Sequence, residues 1–206
     1  MKRLFIATKV CLNDECRKLS QDLQQLTQHD NITWVKNDVT HLTLRFLGQT
    51  PDSQIPLIKE AMEKAIVSFH PFSLQLDKLG FFGSRYAPSV IWLGFSEFEM
   101  YRQLFLSLEQ QLQQFGFEAQ QGNFVPHITL GRIKMIHNKK RFWETMQPFI
   151  EKVSQEIPIQ EITLYQSKLN PEGPEYKALF TQKIVPLYLL DASVGQCSGY
   201  IKRNKG

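Results

Sequence analysis

Hydrophobic positions along the chain fall into short runs and stepped series that predict a mixed helical and extended protein. Leu4 to Thr8 reads as a buried strand. After it Leu12, Cys16, Leu19, Leu23 and Leu26 step by four and three, the signature of a helix with one wet face. Asn13 is its expected N-cap, and Asp14 and Glu15 sit favourably at the positive end of the helix dipole. The strand-like ITWV, Ile32 to Val35, and a polar turn through Asn37 and Asp38 lead into HLTLRFLG, His41 to Gly48. Ile58, Met62, Ala65, Ile66 and Phe69 predict a second helix, capped by Asp52 or Ser53, with Pro56 in its opening turn and its end before Pro71. PFSLQLDKLGFFG and SVIWLGF read as two strands around a glycine-rich turn. Ser96 and Glu99 match a capping box, and the helix beyond carries Tyr101, Leu104, Phe105, Leu108, Leu112 and Phe115 before stopping at Gly116.

From there the order begins again. HITLGR, His127 to Arg132, is followed by a helical stretch through Phe142, Met146, Phe149 and Val153, kinked or divided at Pro148. IPIQEITLYQSKL and YKALFTQKI then read as strands. Counted from each histidine, Phe72 lies 31 residues on and Ile159 lies 32, while Val90 and Tyr176 each lie 49 on. Two passes with one element order and nearly one spacing predict a duplicated strand-helix-strand-strand unit, matched in layout more than in residue identity. No low-complexity linker divides them, so packed lobes are expected over hinged domains. One bilobal domain over 1–185 with interleaved lobes is the expected organisation, and 186–206 reads as a tail.

Composition narrows this only a little. With 206 residues, 42% hydrophobic and 21% charged, the chain is neither disordered nor membrane-spanning by content. A net charge of +4 and a pI of about 8.9 permit a polyanionic partner without requiring one. Cys11, Cys16 and Cys197 form no spaced set, which suits a reducing cytoplasm, and neither a signal peptide nor a membrane span is read.

The chemistry rests on the doubled His-x-Thr. Random placement of 5 histidines and 10 threonines yields that tripeptide about 0.24 times, and it stands here twice at matching points. Alternation puts His41 and Thr43 on one strand face and Leu42 and Leu44 on the other, with the same division for His127 and Thr129 against Ile128 and Leu130. A lone strand histidine is ordinarily satisfied by a nearby carbonyl and does nothing else; recurrence at equivalent places argues for function. Neither motif has the extra cysteine or carboxylate that would complete a metal sphere, so no cofactor is expected. Two imidazoles facing across a cleft suit a reaction in which one accepts a proton while the other donates one. In-line displacement at a phosphodiester needs that pair on opposite walls. The threonine hydroxyls could donate to the non-bridging oxygens.

HLTLRFLG, HITLGR, the opening RLFIAT and the late LYQSKLNPEGPEY resemble the RNA 2′,3′-cyclic phosphodiesterase group, also called the bacterial 2′-5′ RNA ligase family, of the two-histidine phosphoesterase superfamily. The similarity covers roughly Lys2 to Ile184. It implies an α+β, bilobal, pseudo-twofold fold with two antiparallel sheets flanked by helices around a central cleft. It also implies metal-independent hydrolysis of RNA-terminal 2′,3′-cyclic phosphate to a 2′-phosphate, and a weak reversible 2′-5′ joining of RNA ends. RNA ends or related nucleotides are then the expected partners, and the chain is expected to be a monomer that meets no membrane. By the same resemblance His41 is the general acid for the departing O3′, His127 the base that activates water, Thr43 and Thr129 the phosphate holders and Arg132 the neutralising cation.

Strand alternation from His127 sends Arg132 to the wrong face unless the strand twists, bulges or ends by Gly131. Arg45 shares parity with His41 and is expected to face the cleft, a solvated surface arginine being its alternative. Phe81 or Phe82 could stack on a terminal base, with at least one of them in the core. Trp34 and Trp92 read as core. Two other functions stay open: a nucleotide- or RNA-binding module without hydrolysis, and a phosphoesterase for a small cyclic phosphate.

Overall fold

The computed structural model describes residues 1–170 and 173–185. In chain order the elements are β1 (Lys2–Lys9), α1 (Asp14–Leu26), β2 (Asn31–Trp34), β3 (His41–Thr50), α2 (Ile55–Ala65), β4 (Phe72–Ser84), β5 (Ala87–Phe95), α3 (Glu99–Gln114), β6 (His127–Met135), α4 (Lys139–Met146), β7 (Gln155–Ile159), β8 (Glu161–Asn170) and β9 (Gly173–Lys183). The strands build two antiparallel sheets, ordered β3-β1-β8-β9 and β2-β6-β5-β4-β7. This is the expected α+β arrangement of paired lobes. The tail read over 186–206 lies outside the described residues.

The duplication is visible in the sheet order. β1, α1, β3, α2 and β4 run in the same sequence as β5, α3, β6, α4 and β8. In each sheet a histidine strand flanks the first strand of its own unit: β3-β1 and β6-β5. The far neighbour comes from the other unit, because β8 joins the first sheet and β4 the second. The lobes therefore exchange a strand, and neither sheet is made from one continuous half of the chain.

Two readings of the repeat change as a result. Val90 and Tyr176 share a spacing but not a place. β5 lies between β4 and β6, whereas β9 lies on the outer edge of β8, because β1 already fills the slot between β8 and β3. The run IPIQEITLYQSKL is not one strand either: it breaks at Gln160, with β7 pairing to β4 and β8 to β1.

Helix starts follow the sequence in part. Asn13 caps α1 by accepting from the Cys16 N–H at 2.8 Å, and α4 gives way to a 3-10 turn that carries Pro148. The capping box at Ser96 does not form. Ser96 N–H donates to the Asp77 carboxylate at 2.9 Å, α3 begins at Glu99, and Glu99 pairs with Arg102. Asp52 and Ser53 lie in a 3-10 turn ahead of α2, where Asp52 meets Lys2 and caps nothing.

α2 and α3 pack together behind the first sheet, and the buried Tyr101 hydroxyl of α3 donates to the Leu42 carbonyl of β3 at 3.0 Å. Tyr101→Phe removes this hydrogen bond between helix and sheet and is expected to lower stability by about 1 kcal/mol, read by denaturant melts. α4 packs behind the second sheet, where Phe81 meets the rings of Phe142 at 6.0 Å and Trp143 at 4.8 Å. Among the described residues no helix is long and apolar enough to cross a membrane.

Candidate active site

His41 and His127 open their strands in the same way. The segment before His41 is tied to β1, with Thr40 Oγ1 donating to the Val10 carbonyl at 2.8 Å and Val10 N–H to the Thr40 carbonyl at 3.2 Å. Before His127, the buried Pro126 restricts Val125 to extended backbone. In both lobes the histidine Nδ1 lies against the carbonyl two residues earlier, Val39 at 2.9 Å and Val125 at 2.8 Å. A carbonyl only accepts, so each Nδ1 carries the proton and each Nε2 is left for the cleft.

The face each following residue takes is set by a bulge common to both strands. On β3 the partners of Ile6 and Ala7 are Arg45 and Thr43, so Leu44 is an extra residue; on β6 the partners of Ile91 and Trp92 are Gly131 and Thr129, so Leu130 is extra. Leu44 with Arg45, and Leu130 with Gly131, consequently both turn inward and are buried. The residue five after each histidine returns to the cleft side, which brings Arg132 onto the face of His127 and Thr129, where it is exposed. The conflict between alternation and the expected use of Arg132 is thereby removed.

Arg45 is the corresponding correction. It does not face the cleft, because the bulge carries it to the buried side, where it is 9% exposed and pairs with Glu109 of α3. Its place on the cleft face is taken by Phe46, which is 54% exposed and which simple alternation assigns to the opposite face. The clue lies in the equal offset of Phe46 and Arg132 from their histidines, and it becomes legible only once the bulge is known.

Aromatic rings frame both imidazoles. Phe82 meets His127 edge-on at 4.6 Å, whereas Phe81 is spent on α4, so the pair divides between cleft and core. His41 packs 5.0 Å from Phe5 and 5.0 Å from Tyr176. Trp34, half-buried on β2, packs against the core as expected. Trp92 is buried too, but on the cleft side, paired with Thr129 and lying 5.2 Å from Phe82 and 6.3 Å from His127. Gly80 and Gly94 leave room for its indole, which a Cβ at either position would overlap. Gly80→Ala is expected to cost on the order of 1–3 kcal/mol through overpacking and to disturb Phe82 and His127, read by melting and by rate together.

Thr43 and Thr129 are half-buried beside their histidines, and neither hydroxyl has a hydrogen-bond partner among the described residues. A cavity of about 140 Å³ lies between β3 and the segment leading into β6, lined by Thr43, Phe46, Phe82, Gln120, Phe124 and His127 with their neighbours. It takes in one flank of the site; His41, Thr129 and Arg132 lie outside its walls. Among the described residues no three His, Cys, Asp or Glu side chains are grouped to hold a metal ion.

Electrostatics ties the two motifs into one field. Burial is the largest influence on both imidazoles and pulls each below the ordinary 6.5, while the carbonyl at Nδ1 acts in the opposite direction. His127 lowers His41 further, and the charge of Arg132 lowers both.

A family model described as LigT like Phosphoesterase matches residues 8–92 and 98–176. This chain belongs to that family. An RNA 2′,3′-cyclic phosphodiesterase of Thermotoga maritima is 34% identical over 180 residues, covering 86% of this chain and 93% of the relative. One of Methanocaldococcus jannaschii is 28% identical over 179 residues, covering 86% and 98%. Among solved structures, TT0787 of Thermus thermophilus superposes with a TM-score of 0.72 at 25% identity, covering 88% of this chain and 97% of that one. Escherichia coli LigT, solved with 3′-AMP, shares the fold with a TM-score of 0.67 at 21% identity, over 90% of this chain and 99% of that one. The family's two matched segments contain both His-x-Thr motifs.

Proposed function

We propose that this chain hydrolyses 2′,3′-cyclic phosphate at RNA ends to a 2′-phosphate, with its two histidines as acid and base. The observation that carries the reading is the paired anchoring of the imidazoles: each Nδ1 is occupied by the carbonyl two residues before it, and neither Nε2 has a hydrogen-bond partner among the described residues. The relatives named as RNA 2′,3′-cyclic phosphodiesterases support the choice of substrate.

His127 Nε2 takes a proton from water as the water oxygen bonds to phosphorus. On the far side the bond from phosphorus to O3′ breaks, and O3′ takes the proton held on His41 Nε2. Thr43 and Thr129 donate their hydroxyls to the non-bridging oxygens, and Arg132 offsets the charge gathered there. Phe82 offers a stacking face for a base. With an RNA 5′-hydroxyl in place of water, the same steps leave the phosphate on O2′ and make a 2′-5′ linkage, a reversible ligation.

The test is an oligonucleotide ending in 2′,3′-cyclic phosphate, incubated in excess chelator. Turnover to a terminal 2′-phosphate is expected. No turnover, turnover abolished by the chelator, or a 3′-phosphate product would each contradict the scheme.

A pH profile follows from the histidine environments. The working form has one imidazole charged and one neutral, and both are depressed in the free enzyme, so kcat/KM should be bell-shaped with its maximum below pH 6.5. A bound phosphate anion favours the imidazolium form, so the kcat profile should lie at higher pH than that of kcat/KM. A kcat/KM that climbs steadily from pH 6 to 8 would rule this out.

A further inference from the structure

The segment from Phe115 to Pro126 carries the chain from α3, behind the first sheet, to His127 in the second. Its last residues touch the site directly, because Gln120, Asn123, Phe124 and Val125 line the cavity and the Val125 carbonyl holds His127 Nδ1. Phe124 is stacked on Phe105 of α3 at 4.2 Å. The middle of the segment is held by one buried ion pair. Glu109 accepts the Gln120 N–H at 2.8 Å, and Arg45 donates to the Glu118 carbonyl.

Arg45 also donates to the Phe46 carbonyl at 2.8 Å, on the strand that begins with His41. The Nε of Arg45 and the Oε1 of Glu109 meet each other, both groups being almost fully buried at 9% and 6% exposure. One guanidinium thus grips the backbone of the His41 strand and the backbone of the segment that delivers His127. Buried ion pairs contribute little net stability over well-packed apolar residues, because desolvation offsets their attraction. What this pair supplies that an apolar pair could not is direction: a rigid fork of donors and a two-oxygen acceptor, each aimed at a named backbone group.

We propose that Arg45 and Glu109 are positioning residues that fix His127, through the Glu118–Val125 segment, relative to His41. The kinetic side of this proposal rests on the phosphodiesterase reading above; the structural side does not. Neither residue reaches the phosphate. Their effect is on where the Val125 carbonyl stands, and so on which nitrogen of His127 carries the proton and how its ring is aimed.

The test uses the double variant Arg45→Met/Glu109→Met, which removes both charges together and leaves none buried alone, with Arg45→Lys beside it. Arg45→Lys keeps the charge and loses the fork. In the ligand-free proteins, nitrogen-15 NMR of the imidazoles at a pH where both are neutral should show one tautomer for His127 in the parent and a mixture in the variants. His41, anchored by Val39, should keep its single tautomer throughout. With a cyclic-phosphate oligonucleotide, kcat should fall about 10- to 100-fold with KM changed far less, the loss expected from a misaimed base.

A folded double variant that keeps the parent's His127 tautomer and kcat overturns the proposal. If the double variant does not fold, Arg45→Lys decides: parent-like tautomer and rate overturn it, and a mixed His127 tautomer with lowered kcat supports it. Should the parent fail to open any cyclic phosphate, the functional reading falls, and the NMR comparison still decides this one.

Discussion

His127→Ala should lower kcat for opening a 2′,3′-cyclic phosphate by roughly 10²- to 10⁴-fold, and His41→Ala should cost about as much when the leaving group is a ribose hydroxyl. The two losses have different chemistry behind them. Water is a poor nucleophile until it sheds a proton, and His127 is the group assigned to take it; a departing O3′ is a poor leaving group until it gains one, and His41 is assigned to supply it. A cyclic or diester substrate whose leaving group departs unprotonated, such as a nitrophenolate, should therefore recover most of the rate lost in His41→Ala and little of that lost in His127→Ala. The reverse pattern would exchange the two roles, and equal losses on both substrates would argue against separate acid and base. Removing both histidines should cost far less than the product of the single losses, since two groups that act in one step are not independent.

Much of this site could be read from the sequence because its ingredients are local. Period-two alternation places each histidine and threonine on one face over three residues, and that is what the structure has at His41 and Thr43 and at His127 and Thr129. Asn13 at the start of α1 and the break at Pro148 are equally local, each set by one side chain. What failed needed knowledge of a neighbouring strand. A bulge exists only as a count of two residues against one across a pair, so the burial of Arg45 and the cleft position of Phe46 stay invisible until β1 is laid against β3. The same holds for β9, pushed to the sheet edge by a strand that precedes it by more than 160 residues. The Ser96 pattern misled because Asp77, on another strand, offers the Ser96 N–H a charged acceptor. Carbonyl anchors at Val39 and Val125 could not be anticipated from side-chain identity, since any residue carries a carbonyl.

Arg132→Met is expected to lower kcat/KM by roughly 10²- to 10³-fold, the range found when one donor to developing oxyanion charge is removed. Methionine has similar length and no charge, so the change tests the guanidinium and not the space it fills. A second effect should accompany the first. Arg132 is among the influences holding both imidazoles below their ordinary value, so without it both pKa values rise and the kcat/KM bell moves to higher pH. Arg132→Lys keeps a positive charge near the histidines and should show little of that displacement while losing part of the rate, because an ammonium cannot match the bidentate fork. Arg45→Met/Glu109→Met should not move the bell to higher pH: a Val125 carbonyl displaced from His127 Nδ1 takes away a support of the imidazolium, so any displacement runs to lower pH. Were the alkaline displacement found with that double variant and not with Arg132→Met, the charge acting on the histidines would come from the buried pair. The faces assigned to residues 45, 46, 131 and 132 by the two bulges would then be wrong, and with them the assignment of Arg132 to the phosphate.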